Sequence, residues 1–175
     1  MVYAGVGARK APTKVLVKAK KLAEQLAAAG YQLRTGGARG ADSAFLAGAL
    51  AAGDAVVSPR AVVYLPWEGY NKVQERRGVK VVSKIVPEAF EIASKAHPNW
   101  RGVKAGGRKL HARNAQIILG ASLRDPVDFV VCWTEGGEVK GGTGVAMEIA
   151  RRYGVPCFNL WDTDVSRVLE HALAK

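Results

Sequence analysis

The sequence predicts an α/β domain built on a single doubly wound, mostly parallel sheet, with a basic insertion in mid-chain over about residues 68–109. Three observations lead there. Short β-rich runs alternate with helical runs of 10–16 residues, which implies parallel strands joined by helical crossovers. Glycine-rich turns close three of the strands and open the helices that follow. The chain has 175 residues, 49% hydrophobic and 23% charged, an ordinary globular mix and the length of one domain spanning residues 1–175.

The elements follow in order. VYAGV at 2–6 is a short β-rich run ending in glycine, and Pro12 opens a helical pattern through Gly30 with Leu16, Ala19, Leu22 and Leu26 on one face. YQLRT at 31–35 is a second strand. The turn GGARGA leads into an Ala- and Leu-rich helix from Ala41 to Ala52, closed by Gly53. AVVYLPW at 61–67 is continuous and apolar, like a strand covered on both faces. The next stretch is less regular: VKVVSKIV at 79–86 is an optional extra strand, Pro87 opens a helix to about Ala96, HPNWRGVKAGGRK reads as a loop, and Leu110–Leu119 is helical. VDFVVCWT at 127–134 is a buried strand. Thr143–Tyr153 is a helix, VPCFNL at 155–160 a strand, and Asp162–Leu173 a closing helix capped by Asp162 or Thr163.

Lys and Arg number 26 against 15 Asp and Glu, a net charge of +11. The charge is uneven. Residues 60–113 hold 12 basic and 4 acidic groups, whereas residues 114–175 hold 6 and 8. So basic a middle segment points to phosphates, nucleotides or nucleic acid, the plain alternative being a solvated surface. No apolar run reaches the length of a membrane span, and the start lacks the order of a signal peptide, so the expected setting is the cytoplasm, with no membrane partner. Cys132 and Cys157 both read as buried core thiols. They share no metal-ligand spacing with His97, His111 or His171, so neither a metal nor a cofactor is expected.

In doubly wound sheets ligands bind beyond the carboxyl ends of the strands, near the point where strand order reverses. Three turns fall there: Gly5-Val6-Gly7-Ala8-Arg9, Gly36-Gly37-Ala38-Arg39-Gly40, and Gly136 through Gly144. Glycine lets backbone approach a phosphate, and a helix N-terminus offers unpaired N–H groups. Two familiar fingerprints fail. Lys10 stands where a dinucleotide-binding turn needs its third glycine, and Thr143 stands where a P-loop needs lysine, so neither NAD binding nor triphosphate hydrolysis is favoured. Asp42, just past the second turn, either caps its helix or binds a ribose hydroxyl. Glu148 lies on the second turn of the helix after the third loop, either solvated or reaching back to a ligand; Arg113 is either an exposed charge or held against a carboxylate or phosphate.

At these residues the chain resembles the superfamily, SLOG, that joins the Rossmann-like domain of DNA-processing protein A (DprA) with the Lonely Guy nucleotide hydrolases. The resemblance covers roughly 2–65 and 108–160. TGGARGADSAFLAGAL at 35–50 resembles the second glycine turn and helix of DprA, and HARNAQIILG at 111–120 its Arg-Asn segment. Gly141, Gly142, Gly144 and Glu148 match the Lonely Guy pattern Gly-Gly-x-Gly-Thr-x-x-Glu in register, and Arg113 matches its arginine. Val145 replaces the motif's threonine and Lys140 its usual proline, with Thr143 or Thr134 as compensating hydroxyls. The basic middle segment looks more like the small DprA-like proteins of bacteriophage genomes.

The resemblance implies Glu148 and Arg113 as catalytic. It implies a nucleotide phosphate held by Gly5, Gly7, Arg9, Gly36, Gly37, Ala38, Arg39, Asp42, Asn114, Thr134, Lys140, Gly141, Gly142, Thr143 and Gly144. The reaction expected is cleavage of the N-glycosidic bond of a nucleoside 5′-monophosphate. Glu148 would stabilise an oxocarbenium-like transition state and Arg113 would orient it. The family forms dimers, so a homodimer is implied. The alternatives are a non-enzymatic module binding single-stranded DNA, or a nucleotide sensor. Trp100 among Arg101, Lys104, Arg108 and Lys109 suits single strands, or else anchors a surface loop. Trp67 either stacks on a base or packs as a lid. Trp133 and Trp161 read as core or rim, and His111 as helix packing.

Overall fold

In the computed structural model, which describes residues 1–53 and 59–174, strands alternate with helices over most of the chain, except that a short 3-10 turn joins the third strand to the fourth and two helices in succession lead to the fifth. The strands are β1 (Val2–Gly7), β2 (Gln32–Thr35), β3 (Ala61–Tyr64), β4 (Val79–Val82), β5 (Phe129–Trp133) and β6 (Cys157–Asn159). The helices are α1 (Thr13–Ala28), α2 (Ala41–Ala51), α3 (Pro87–Ala96), α4 (Ala105–Leu119), α5 (Gly141–Arg152) and α6 (Val165–Leu173). The strands form one sheet in the order β4-β3-β2-β1-β5-β6, and among the described residues every pairing of named strands is parallel. The chain winds outward from β1 to β4, then returns across to β5 on the other side of β1. The order therefore reverses between β1 and β5, whose outgoing loops diverge there.

Two apolar layers flank the sheet. One packs α1, α2 and α6 on Tyr3, Leu33, Phe129 and Val131; the other packs α3, α4 and α5 on Ala4, Val6, Val62, Val130 and Cys132. Adjacent strand residues face opposite ways, so a strand such as FVVCW feeds both layers and must be apolar throughout. Helix α1 buries Val15, Ala19, Leu22, Ala23 and Leu26, a stripe at helical spacing. It meets α2 closely because Gly48 carries no side chain. A Cβ there would lie 2.0 Å from the Lys20 carbonyl oxygen.

The segment 68–109 supplies the outer strand β4 and helix α3 to the same sheet and layers. Several sequence expectations need correction. Part of the stretch read as a loop is helical: α4 begins at Ala105, and a single 3-10 turn spans Trp100–Gly102. Helix α5 begins at Gly141, two residues before Thr143; Gly141 enters it with φ +63°, a left-handed conformation that glycine adopts without strain. Helix α6 begins only at Val165, with Asp164 as N-cap and no side-chain cap bond, so neither Asp162 nor Thr163 caps it. Cys157 is exposed, because β6 is the outer strand and one side of it meets solvent. Of the two tryptophans expected in core or rim, Trp133 is in the core and Trp161, 54% exposed, is at the rim, as that reading allows.

Candidate functional site

The loops after β1 and β2, the middle of α4 and the first turns of α5 enclose a cleft of about 500 Å³ at the carboxyl edge, beside the reversal point. That is a normal size for a small-molecule site. Its wall includes Gly7, Arg9, Ala38, Arg113, Asn114 and Thr143.

The floor is Asp42, buried at the start of α2. The Gly7 N–H donates to its Oδ1 at 3.2 Å and the Ala38 N–H to its Oδ2 at 3.2 Å. One carboxylate thus ties the first glycine turn to the second. Burial pushes its pKa up, while the nearby Arg113 charge and the backbone N–H groups pull the other way. Gly40 brings the same two turns together. Its φ is +83°, and a Cβ there would lie 2.4 Å from the Arg9 carbonyl oxygen, so only glycine fits.

Arg113, on α4, is 7% exposed. Its Nη1 donates to the Gly36 carbonyl and, at 3.4 Å, to the Tyr64 carbonyl, so the guanidinium closes the ends of β2 and β3. Its Cζ lies 5.6 Å from the centre of the Tyr70 ring, and the Arg9 Nη2 donates to the Tyr70 hydroxyl at 3.4 Å. Gly36 makes room for this: a Cβ would sit 2.6 Å from Arg113 Cζ and 2.9 Å from Asp42 Oδ2. Asn114 reaches the other way, donating from Nδ2 to the Gly142 carbonyl at 2.9 Å, which fixes the start of α5 against α4.

The first turn of α5 has no side-chain cap. Gly142 and Thr143 face this cleft; Gly141, Gly144, Lys140 and Glu148 line a second cavity of about 340 Å³ on the other side of the same turn. Glu148 is held there. Arg151 donates to both of its oxygens and Arg152 to Oε1, at 2.7–2.8 Å, and these bonds lower its pKa to about 2. Lys140 pairs with Glu138 at 2.6 Å. Thr134 is buried and engaged with Asn159, whose Nδ2 donates to its Oγ1 at 2.8 Å. Gly5 and Gly37 pack against Phe45 and Leu65 respectively and are absent from the cleft's lining, as is Arg39, which is exposed.

Among the basic candidates, Arg101, Lys104 and Lys109 are exposed. Arg108 instead donates to the Val103 carbonyl at 2.9 Å and lies 5.4 Å over the half-buried Trp100 ring. Trp67 is exposed and meets Tyr70 edge-on at 5.2 Å. Sequence reasoning did not single out Lys10, Tyr70 or His111 for this site. Lys10 and His111 line the cleft and Tyr70 braces both arginines. Lys10 directly follows a turn already singled out for its glycines, a signal that was available. Tyr70 lies in an irregular stretch with no periodicity to mark it. The His111 ring lies 4.6 Å from that of His97, and its pKa falls to about 4, by burial first and then by the His97 and Arg113 charges.

The chain matches no protein-family model, and no curated protein matches it by sequence. Solved structures do match. DNA-processing protein A from Helicobacter pylori, described for its single-stranded DNA-binding mode, aligns with TM-score 0.60 and 21% identity over 97% of this chain and 71% of that one. The fold is shared with DNA-processing protein A. The molybdenum cofactor carrier protein of Chlamydomonas reinhardtii aligns with TM-score 0.60 and 18% identity over 99% and 98% of the two chains. The Rossmann-like architecture expected from the motif resemblance to DprA is thus the one found. Among the described residues no helix is long and apolar enough to cross a membrane.

Proposed function

We propose that this cleft binds the phosphate of a nucleotide-type ligand. One observation carries the reading: the loops after β1 and β2 meet the uncapped first turn of α5 in one cleft, with Arg9, Lys10 and His111 in its lining. Open N–H groups, a favourable helix dipole and cationic side chains together suit a phosphate. The neighbour that binds single-stranded DNA and the neighbour that carries a cofactor both support a ligand of this type on this fold. Gly7, Ala38, Gly142 and Thr143 would meet the phosphate, Arg9 and Lys10 would neutralise it, and Asp42, Arg113 and Asn114 would hold the loops.

The finer reading, an N-glycosidase acting through Glu148 and Arg113, has less geometric support. Glu148 lines the neighbouring cavity with both oxygens engaged by arginines, and Arg113 is occupied with strand-end carbonyls. Binding is therefore the function we put forward. The second reading, a single-stranded DNA module, is favoured by the exposed Arg101, Lys104 and Lys109 beside the cleft-lining helix. The homodimer implied by the motif resemblance is part of this proposal and is read by sedimentation.

The decisive variant is Gly142→Glu. A Cβ there meets nothing within 4 Å, so the chain should fold, but a carboxylate would stand where the phosphate sits. Calorimetry with nucleoside 5′-monophosphates, inorganic phosphate and an oligonucleotide should show binding by the wild type and at least about tenfold weaker binding by Gly142→Glu. Equal affinities, or no binding of any of the three, would overturn the proposal. If the strand is the ligand, affinity falls with salt by about 0.7 log units per log unit for each phosphate contacted.

A further inference from the structure

Cys132 and Cys157 are the two cysteines of the chain, and their Sγ atoms lie 3.7 Å apart on adjacent strands. Register pairs Val130 with Cys157 and Cys132 with Asn159, so the two thiols sit diagonally on one face of the β5–β6 pair. One is buried at the end of β5; the other is exposed on β6. We propose that this pair is a reversible thiol–disulfide site whose co-substrate is a low-molecular-weight disulfide, with Cys157 as the attacking thiol and Cys132 as the resolving one.

The asymmetry assigns the roles. The two sulfurs share a hydrogen bond that lowers the Cys157 pKa and raises that of Cys132, while burial raises Cys132 further. Reactivity follows thiolate character and access together, and Cys157 has both. In the first step the Cys157 thiolate attacks one sulfur of the small disulfide; a mixed disulfide forms and one small thiolate leaves. In the second step Cys132 gives up its proton to solvent and attacks the Cys157 sulfur. The protein disulfide forms and the second small thiolate leaves. Two protein thiols and one small disulfide become one protein disulfide and two small thiols, so electrons and protons balance.

Closing the bond brings the sulfurs from 3.7 Å to about 2.05 Å. The strand that must yield is β6, which is three residues long, lies at the sheet edge and pairs only with β5 among the described strands. Asn159, two residues after Cys157, receives the Thr134 N–H on its Oδ1 at 3.3 Å and the Trp161 N–H at 3.1 Å. A shift of β6 therefore reaches the loop that leads to α5, and Trp133 and Trp161, whose rings lie 6.4 Å apart, report it.

The test is native-state oxidation with oxidised glutathione, followed by thiol alkylation in denaturant and intact mass. The expected wild-type product is a monomer that has lost two hydrogens, has no alkylatable thiol and carries no adduct. Dithiothreitol should restore it, and tryptophan emission should change in step. Cys132→Ala should stop at one glutathionyl adduct on Cys157. In Cys157→Ser, an exposed and conservative change, Cys132 should react at least about tenfold more slowly than Cys157 does in the wild type. A wild-type protein that stops at the mixed disulfide, crosslinks between chains or keeps both thiols would overturn the proposal. The wild-type result stands even if Cys132→Ala does not fold.

Discussion

Gly36→Ala isolates the brace beneath the cleft. Gly36 does not have a positive φ, so alanine suits its backbone and the entire penalty comes from the space that Arg113 occupies. The new Cβ would lie 2.6 Å from Arg113 Cζ and Nη1, so the guanidinium must leave its bonds to the Gly36 and Tyr64 carbonyls. Hydrogen bonds from a charged donor contribute about 1.5–3 kcal/mol each, and the Tyr64 bond is long, so the variant should lose roughly 2–4 kcal/mol. For a chain of this size that lowers Tm by roughly 5–15 °C. Arg113→Ala should cost about as much, since it leaves the same carbonyls unpaired and a void under Tyr70. The pair must then be strongly non-additive. In the Arg113→Ala background, Gly36→Ala should cost under about 1 kcal/mol, the remainder being its 2.9 Å approach to Asp42. Urea unfolding of the four proteins measures this. Additivity within about 0.5 kcal/mol would refute the brace.

Other consequences follow from the same contacts. Gly48→Ala drives a Cβ to 2.0 Å from the Lys20 backbone oxygen, so α1 and α2 must separate; a loss of about 2–3 kcal/mol in urea unfolding is expected, with nucleotide affinity kept. Glu148→Gln removes the ion pairs with Arg151 and Arg152. They are solvent-screened, so about 0.5–1 kcal/mol should be lost at neutral pH, and the difference from wild type should vanish as pH falls from about 4.5 towards 2, since a carboxylate with a lowered folded pKa stabilises only above that window. His111 has a folded pKa of about 4, below its ordinary 6.5, so the unfolded chain binds its proton first and stability falls as pH drops from about 6.5 to 4. His111→Phe should flatten that part of the pH–stability curve, read from melts at pH 7 and pH 5. An unchanged slope would place the titration elsewhere.

Much of the fold was legible because its cause is local. The continuous apolar strands and the α1 residues Ala19, Leu22 and Leu26 state their own burial, while Leu16, expected on that face, is half-buried and Val15 takes the buried place. The start of α5, which lines the cleft, was marked by glycines. What was hidden depends on distance in sequence. Nothing near Arg113 says that its guanidinium will end on Gly36, 77 residues away, or that Asp42 will accept from Gly7, 35 residues away. Cys157 looked buried because its neighbours are apolar; its exposure follows from β6 being the outermost strand, a fact of sheet order and not of composition. Lys104–Arg108 reads as loop because Gly106 and Gly107 depress helix propensity, yet packing of the rest of α4 carries the helix through them.

The distribution of free and occupied polar atoms bears on what the cleft does. A carboxylate that stabilises positive charge on a sugar must present an oxygen to the ring. Asp42 has both oxygens committed to backbone N–H groups, and Glu148 has both committed to arginines on its own helix, facing a different cavity. Glu138 is paired with Lys140. Arg113, the other candidate for chemistry, is spent on strand ends. What faces the cleft instead is an uncapped helix turn together with the cationic Arg9 and Lys10. Groups of that kind suit an anion. For Glu148 to stabilise a sugar cation, it must first be released from its two arginines. Arg151→Ala with Arg152→Ala would then raise base release from nucleoside monophosphates, whereas a binding protein would show none before or after.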